Sequence, residues 1–221
     1  MKLQVRGILF DMDGVLVSSL GSVERSWTKW GKMRGVDGEL AIKTAHGRRA
    51  IETVRYLRPD LNDVEELKVI EEIEIADKDD IEVLKGVPRI LSELPQKYWT
   101  VVTSATDKLA RARLSYAGLS IPERIITADQ VTNGKPNPEP YIKGAALLKQ
   151  RPEDCLVIED STSGAIAGHA AGCKVLATLF SHTVESLAAA DWIVQSLDDV
   201  TVRPLEDTVE LEFKPLFQNG H

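Results

Sequence analysis

Residues 5–14 read VRGILFDMDG, an apolar run closed abruptly by two aspartates and a glycine. Val5 to Phe10 is apolar enough to predict a strand buried on both faces, as strands inside parallel sheets are. It ends at Asp11. The same pattern recurs down the chain. Trp99 to Val102 (WTVV) ends at Thr103 and Ser104, and Cys155 to Ile158 (CLVI) ends at Glu159 and Asp160. Lys174 to Leu179 and Trp192 to Val194 are later candidate strands, and helical patterns lie between the runs at Pro88–Leu94, Lys108–Tyr116, Pro140–Lys149 and Gly164–Ala171. Alternation of this kind predicts an α/β fold: a Rossmann-like parallel sheet with flanking crossover helices. Ligands of such sheets sit beyond the carboxyl ends of the strands, where the polar residues just named fall.

One region breaks the alternation. From Ser18 to Glu82 the patterns are helical: Ala50, Ile51, Val54 and Leu57 share one face, as do Leu67, Ile70 and Ile73. The chain therefore divides into a core, residues 1–17 and 83–221, and a small α-helical domain, residues 18–82, inserted after the first strand. Connections are expected near Val17–Leu20 and Ile81–Gly86. The stretch from Asp60 to Asp80 is strongly acidic and reads as a largely solvated face. The segment LEDTVELEF after Pro204 alternates weakly and suggests an added edge strand.

The chain has 221 residues, with 27 Lys and Arg against 34 Asp and Glu, a formal charge of −7. At roughly 150 residues per domain, this length suits one large domain or two small ones. A hydrophobic fraction of 43% and a charged fraction of 28% suit a folded chain with a buried core and exclude disorder as its description. The acidic balance argues against a nucleic-acid partner, whose backbone needs clustered Lys and Arg. Nothing approaches the ~18 consecutive apolar residues of a membrane span, and acid arrives too early at the N-terminus for a signal-peptide core. Cys155 and Cys173 each lie in an apolar stretch and read as small core hydrophobes in a reducing compartment. The expectation is a cytoplasmic protein, monomeric or a small homo-oligomer.

Four constellations carry chemistry. Asp11 and Asp13, at i and i+2 on extended backbone, point to one side and can reach one ligand. Crowded carboxylates also raise one another's pKa, which suits an acid and a base working as a pair. Glu159 and Asp160 follow a buried strand and would be costly there without a cation or hydrogen bonds, and hard oxygen ligands with room for water suit Mg²⁺. Thr103 and Ser104 precede a helix start, where N–H groups and a hydroxyl make an anion site. Lys135 lies in GKPNP, a loop stiffened by prolines around a single positive charge. Each alone also reads as a strand cap, a helix cap or a surface lysine. Together they supply a nucleophile, an acid, a cation site, an anion hydroxyl and a lysine, the parts of phosphoryl transfer.

FDMDG, VVTSAT, GKPNPEPY and IEDSTSG, in this order and spacing, resemble the four motifs of the haloacid dehalogenase superfamily. The helical insert resembles the cap of its sugar-phosphate phosphatase and β-phosphoglucomutase branch, and AHGRRAIETVRYLRPDLN is similar to the cap of 2-deoxyglucose-6-phosphate and glycerol phosphate phosphatases. The resemblance implies that Asp11 is the nucleophile and becomes an aspartyl-phosphate, with Asp13 as general acid and base. It implies that Thr103 and Lys135 hold the phosphoryl oxygens. Mg²⁺ would lie between Asp11, the backbone carbonyl of Asp13 and Asp160, with Glu159 contributing directly or through water. The substrate expected is a small phosphorylated sugar or polyol, bound in part by Ser104 and by the cap loop His46, Gly47, Arg48 and Arg49. The alternative is a mutase that returns the phosphoryl group to a bisphosphate intermediate. Asp13 favours an ester, since a halide leaving group needs no proton. Where many relatives have an acid after the first motif, this chain has Ser18 and Ser19, which bears on the hinge and not on the chemistry.

Overall fold

The computed structural model describes residues 1–219. The chain begins with β1 (Lys2–Val5) and β2 (Gly7–Phe10). The single strand expected over Val5–Phe10 is thus broken at Arg6, whose N–H donates to Asp154 O at 2.7 Å. The break serves two partners, since β1 and β2 enter different sheets. After β3 (Val17–Ser18) come four helices: α1 (Leu20–Arg34), α2 (Gly38–Ala45), α3 (Ala50–Leu57) and α4 (Asp63–Ala76). The chain returns through β4 (Glu82–Val83), then α5 (Val87–Glu93), β5 (Trp99–Val101), α6 (Asp107–Tyr116) and α7 (Glu139–Leu147). There follow β6 (Cys155–Glu159), α8 (Thr162–Ala170), β7 (Lys174–Thr178), β8 (Trp192–Val194), β9 (Val200–Pro204), β10 (Val209–Phe213) and β11 (Phe217–Gln218). Gly220 and His221, which the sequence reading assigns to the core, lie outside the described residues.

The main sheet has the order β11-β8-β7-β6-β2-β5, parallel except for β11. Both faces are covered, which is why β2 and β6 are buried at every position. Alternation sorts their side chains. Ile8, Phe10, Leu156 and Ile158 join one cluster with Val87, Ile90 and Leu114 of the helices α5 and α6. Leu9, Cys155 and Val157 join the other with Tyr141, Ala145, Ala165 and Ala167 of α7 and α8. Both cysteines are free and buried in this second cluster, and burial pushes each thiol up to about 12. Register fixes the site, because Phe10 pairs with Val101 on one side and Ile158 on the other. Asp11, Thr103, Glu159 and Asp160 therefore emerge together at one edge.

The segment after Pro204 forms more than an edge strand. β10 is the centre of an antiparallel sheet ordered β1-β10-β9. Its inward side chains Val209, Leu211 and Phe213 extend the first cluster, and the sequence hid this because β1 and β10 are about 200 residues apart. Among the described residues, no helix is long and apolar enough to cross a membrane.

The four-helix segment packs around its own cluster of Trp27, Trp30, Ala41, Ala45, Val54 and Ile70. Trp27 and Trp30 meet edge to face, with centroids 5.4 Å apart. β3 and β4 pair as a two-stranded strap where the segment leaves and rejoins the sheet. The acidic stretch of α4 is not simply a solvated face, because Glu66 and Glu74 are buried. Glu66 Oε2 accepts from Trp30 Nε1 at 2.9 Å and from Arg34 Nε at 2.7 Å, tying α4 to α1. Arg34 holds this carboxyl below its usual value.

A depressed folded-state pKa contributes stability above the unfolded value of 4.5 and loses it as pH falls through the folded one. Glu66→Gln should therefore cost about 1–3 kcal/mol near pH 7. Urea unfolding as a function of pH should show that deficit shrinking below pH 4.5; a deficit independent of pH would contradict the pairing.

Candidate active site

The strand ends converge on one cavity beneath the four-helix segment, lined by Asp11, Asp13, Thr103, Ser104, Lys135, Glu159 and Asp160 on the sheet side. Lys135 reaches it from the proline loop and is 4% exposed. Its Nζ donates to Asp11 Oδ1 at 2.6 Å, Glu159 Oε1 at 2.7 Å and Val102 O at 3.2 Å, which uses all three ammonium protons. The surface-lysine alternative is excluded by this burial. Opposed to the cost of burial, the two carboxylates raise the ammonium pKa above its ordinary value and favour its charged form.

Glu159 is wholly buried and saturated. Oε1 accepts from Lys135 and from Tyr141 Oη at 2.8 Å. Oε2 accepts from Asp160 N and Ser161 N, each at 2.9 Å, and from Ser161 Oγ at 3.0 Å. Burial alone would raise its pKa, but Lys135 and these donors bring it below the usual carboxylate value. Glu159 thus anchors the lysine and the turn after β6, and this role, missed by sequence reasoning, explains why two acids follow that strand. Tyr141 was likewise missed, although it closes the GKPNPEPY motif.

Asp11 and Asp160 behave differently. Burial pushes the Asp11 carboxyl up to about 7, with Lys135 opposing and Glu159 adding to the rise. Burial, Glu159 and Asp11 raise Asp160 well above its ordinary value. Oxygens of Asp11, Glu159 and Asp160 lie within 4.8 Å of one another. Three buried carboxylates face a single lysine, an excess of negative charge that burial makes costly. Asp11 Oδ2 and Asp160 Oδ1 accept no hydrogen bond among the described residues, whereas Asp160 Oδ2 is held by Ser181 Oγ. Hard oxygen donors with two open positions and uncompensated charge fit a divalent cation such as Mg²⁺. Gly14 keeps this side open: its φ is +84°, and a Cβ there would lie 2.0 Å from Asp160 Oδ2.

Asp13 has partners of its own. Its Oδ1 accepts from Ser19 Oγ at 2.5 Å and its Oδ2 from Arg113 Nη1 at 3.0 Å. Thr103 is buried; its Oγ1 accepts from Ala105 N at 3.1 Å, ordering the loop that leads into α6.

The helical segment supplies the roof. His46, Gly47 and Arg48 line the cavity, with Leu20, Val23, Trp27, Leu67, Glu71 and Glu74. Gly47 approaches the core rather than empty space: its carbonyl accepts from Ser163 Oγ at 3.1 Å, its φ is +69°, and a Cβ would lie 2.6 Å from that hydroxyl. Arg49 does not line the cavity. Its guanidinium donates to Glu52 and, at 2.8 Å each, to the carbonyls of Val131 and Thr132. It ties roof to core. His182, to which the sequence assigned nothing, lines the cavity too, its Nδ1 2.6 Å from Ser181 Oγ.

The chain matches the haloacid dehalogenase-like hydrolase family over residues 8–178 and belongs to it. It is 37% identical to hexitol phosphatase A of Escherichia coli, over 90% of this chain and 95% of that protein. It is 33% identical to glycerol-1-phosphate phosphohydrolase 2 of Saccharomyces cerevisiae, over 96% and 91%. The crystal structure of β-phosphoglucomutase from Clostridium difficile superposes with a TM-score of 0.75 at 22% identity, covering 88% of this chain and 92% of that one, a likeness of fold.

Removing the ammonium would leave three buried carboxylates without their counter-charge. In metal-free buffer, Lys135→Met should lower the unfolding free energy by about 3–5 kcal/mol. A loss below about 1 kcal/mol in urea titrations, the range of an exposed pair, would show that the lysine is not the counter-charge of the site.

Proposed function

We propose that this chain is a Mg²⁺-dependent phosphoric monoester hydrolase acting on a small phosphorylated sugar or polyol. The observation that carries the reading is the meeting of Asp11, Lys135, Glu159 and Asp160 at the sheet edge, with Asp13 two residues from Asp11. Relatives named as phosphatases of hexitol, glycerol and deoxysugar phosphates support the substrate class. Residues 18–82 act as a cap domain over a core of residues 1–17 and 83–221. Two unpaired, buried thiols suit a cytoplasmic location.

In this reading Asp11 attacks phosphorus and becomes an aspartyl-phosphate, dividing one displacement into two. Asp13 protonates the departing alkoxide and then takes a proton from the water that hydrolyses the intermediate. The Thr103–Ser104 loop holds the phosphoryl oxygens, and Lys135 offsets their charge by exchanging its bond to the Val102 carbonyl for one of them. Asp11, Asp160 and the backbone carbonyl of Asp13 would hold the cation, with Glu159 behind them, and a cation there would offset the charge of an anionic nucleophile approaching a dianion and favour the ionised form of Asp11. The roof excludes water, and its mix of Glu71, His46 and Arg48 with Leu20, Val23 and Trp27 suits a short hydroxylated leaving group.

Phosphate release from a panel of hexitol, glycerol and deoxysugar phosphates tests the reading. Mg²⁺ should support turnover and EDTA abolish it. Asp11→Asn should lose more than about 10³-fold in kcat. Its melting temperature should not fall, since the change lowers the excess of buried carboxylates over the single lysine while its side-chain oxygen can still accept from Lys135. Wild-type turnover in Asp11→Asn would overturn the nucleophile. An isomerised sugar phosphate appearing only with a bisphosphate primer would replace hydrolysis by mutase chemistry.

A further inference from the structure

Arg113 is absent from the four sequence motifs, yet its side chain is 4% exposed and lines the cavity. It projects from α6, the core helix that follows the Thr103–Ser104 loop. Its two terminal nitrogens are divided between two carboxylates on different parts of the chain. Nη1 donates to Asp13 Oδ2 at 3.0 Å, and Nη2 donates to Glu74 Oε1 at 3.1 Å. Its Nε is buried with no partner. Glu74 belongs to α4 of the cap and is 6% exposed. Around it, α4 meets α6 through further polar contacts: Glu71 accepts from Thr106 Oγ1 and Lys108 Nζ, and Tyr116 Oη donates to Ile75 O at 3.3 Å.

The division matters because a guanidinium is a rigid planar fork, so a carboxylate on one terminal nitrogen fixes where the other points. With the cap down, Glu74 occupies one terminal nitrogen and Asp13 receives a single N–H from the other. Ser19 Oγ, beside the β3–β4 strap, holds the other Asp13 oxygen. If the cap lifts, Glu74 leaves with α4 and the fork loses the partner that fixes it beside Asp13. We propose that Arg113 is a positioning residue that couples cap closure to the working orientation of Asp13. Closure seats Glu74 on one half of the fork, so that the other half and Ser19 Oγ together set the Asp13 carboxyl group for the leaving oxygen. Opening frees the guanidinium to turn, and that orientation is lost. Asp11 and the phosphoryl-binding groups do not depend on this switch, so the first displacement is unaffected when the leaving group needs no proton.

This inference rests on the phosphatase reading, and the test separates the two. Arg113→Met, Glu74→Ala and the double variant are compared with the wild type on propyl phosphate and p-nitrophenyl phosphate, both without hydroxyls on the leaving group. The first expels a basic alkoxide and needs a proton; the second expels a stabilised phenolate. kcat/KM, which reports the first displacement, should fall roughly 10²-fold on propyl phosphate, the lower range for general acid catalysis. It should change less than about 3-fold on p-nitrophenyl phosphate, and KM should move little on either ester. The double variant should lose no more than the larger single loss, as residues acting as a unit do. Equal losses on both esters, or additive losses, would overturn the proposal in favour of a structural role. A loss confined to polyol phosphates would also overturn it, since it would make the pair a contact to substrate hydroxyls. If Arg113→Met fails to fold by circular dichroism, Glu74→Ala carries the same comparison. If the wild type hydrolyses no ester with Mg²⁺, the phosphatase reading fails first and the coupling falls with it.

Discussion

The structure turns on one buried ammonium. Three carboxylates at the carboxyl edge of a parallel sheet are a liability in a medium where an unpaired charge is far costlier than in water. Lys135 divides its protons between Asp11, Glu159 and a strand carbonyl, and so brings the proline loop against β2, β5 and β6. Glu159 extends that constraint into the helices, since Tyr141 of α7 and Ser161 at the cap of α8 both bond to it. The remaining negative charge, on Asp11 and Asp160, is what a divalent cation would offset.

The four-helix segment is built differently. It has a core of its own around Trp27 and Trp30 and is joined to the sheet by a two-stranded strap. Its contacts with the rest of the site include polar ties: Arg49 to the carbonyls at 131 and 132, Gly47 to Ser163, Glu71 to Thr106 and Lys108, Glu74 to Arg113. The neutral Gly47–Ser163 bond contributes about 0.5–1.5 kcal/mol net, and those that include a charged group about 1.5–3 kcal/mol each. A roof held in this way can close firmly around a ligand and still open to release product.

Several readings of the sequence fell short for identifiable reasons. Acidic density in α4 suggested solvent, but Glu66 and Glu74 point inward to Arg34 and Arg113, partners 32 and 39 residues away. Arg49 shared the cap loop with His46 and Arg48 and so appeared equivalent to them, until the loop's path turned it toward the core. The strand at Val5–Phe10 divided because the first half finds its partner in β10, near the other end of the chain.

The sequence by itself determined the alternation of buried strands and helices, the position of the helical insert, and the identity of Asp11, Asp13, Thr103, Lys135, Glu159 and Asp160 as the residues of interest. It could do so because burial on both faces and abrupt polar strand ends are local properties, written in consecutive residues. Only the tertiary structure decided how the charges are apportioned: that Glu159 serves as an anchor, that Arg49 ties the roof down, and that Arg113 stands between Asp13 and the cap. Those assignments depend on which distant group lies within about 3 Å, a distance that no local pattern encodes.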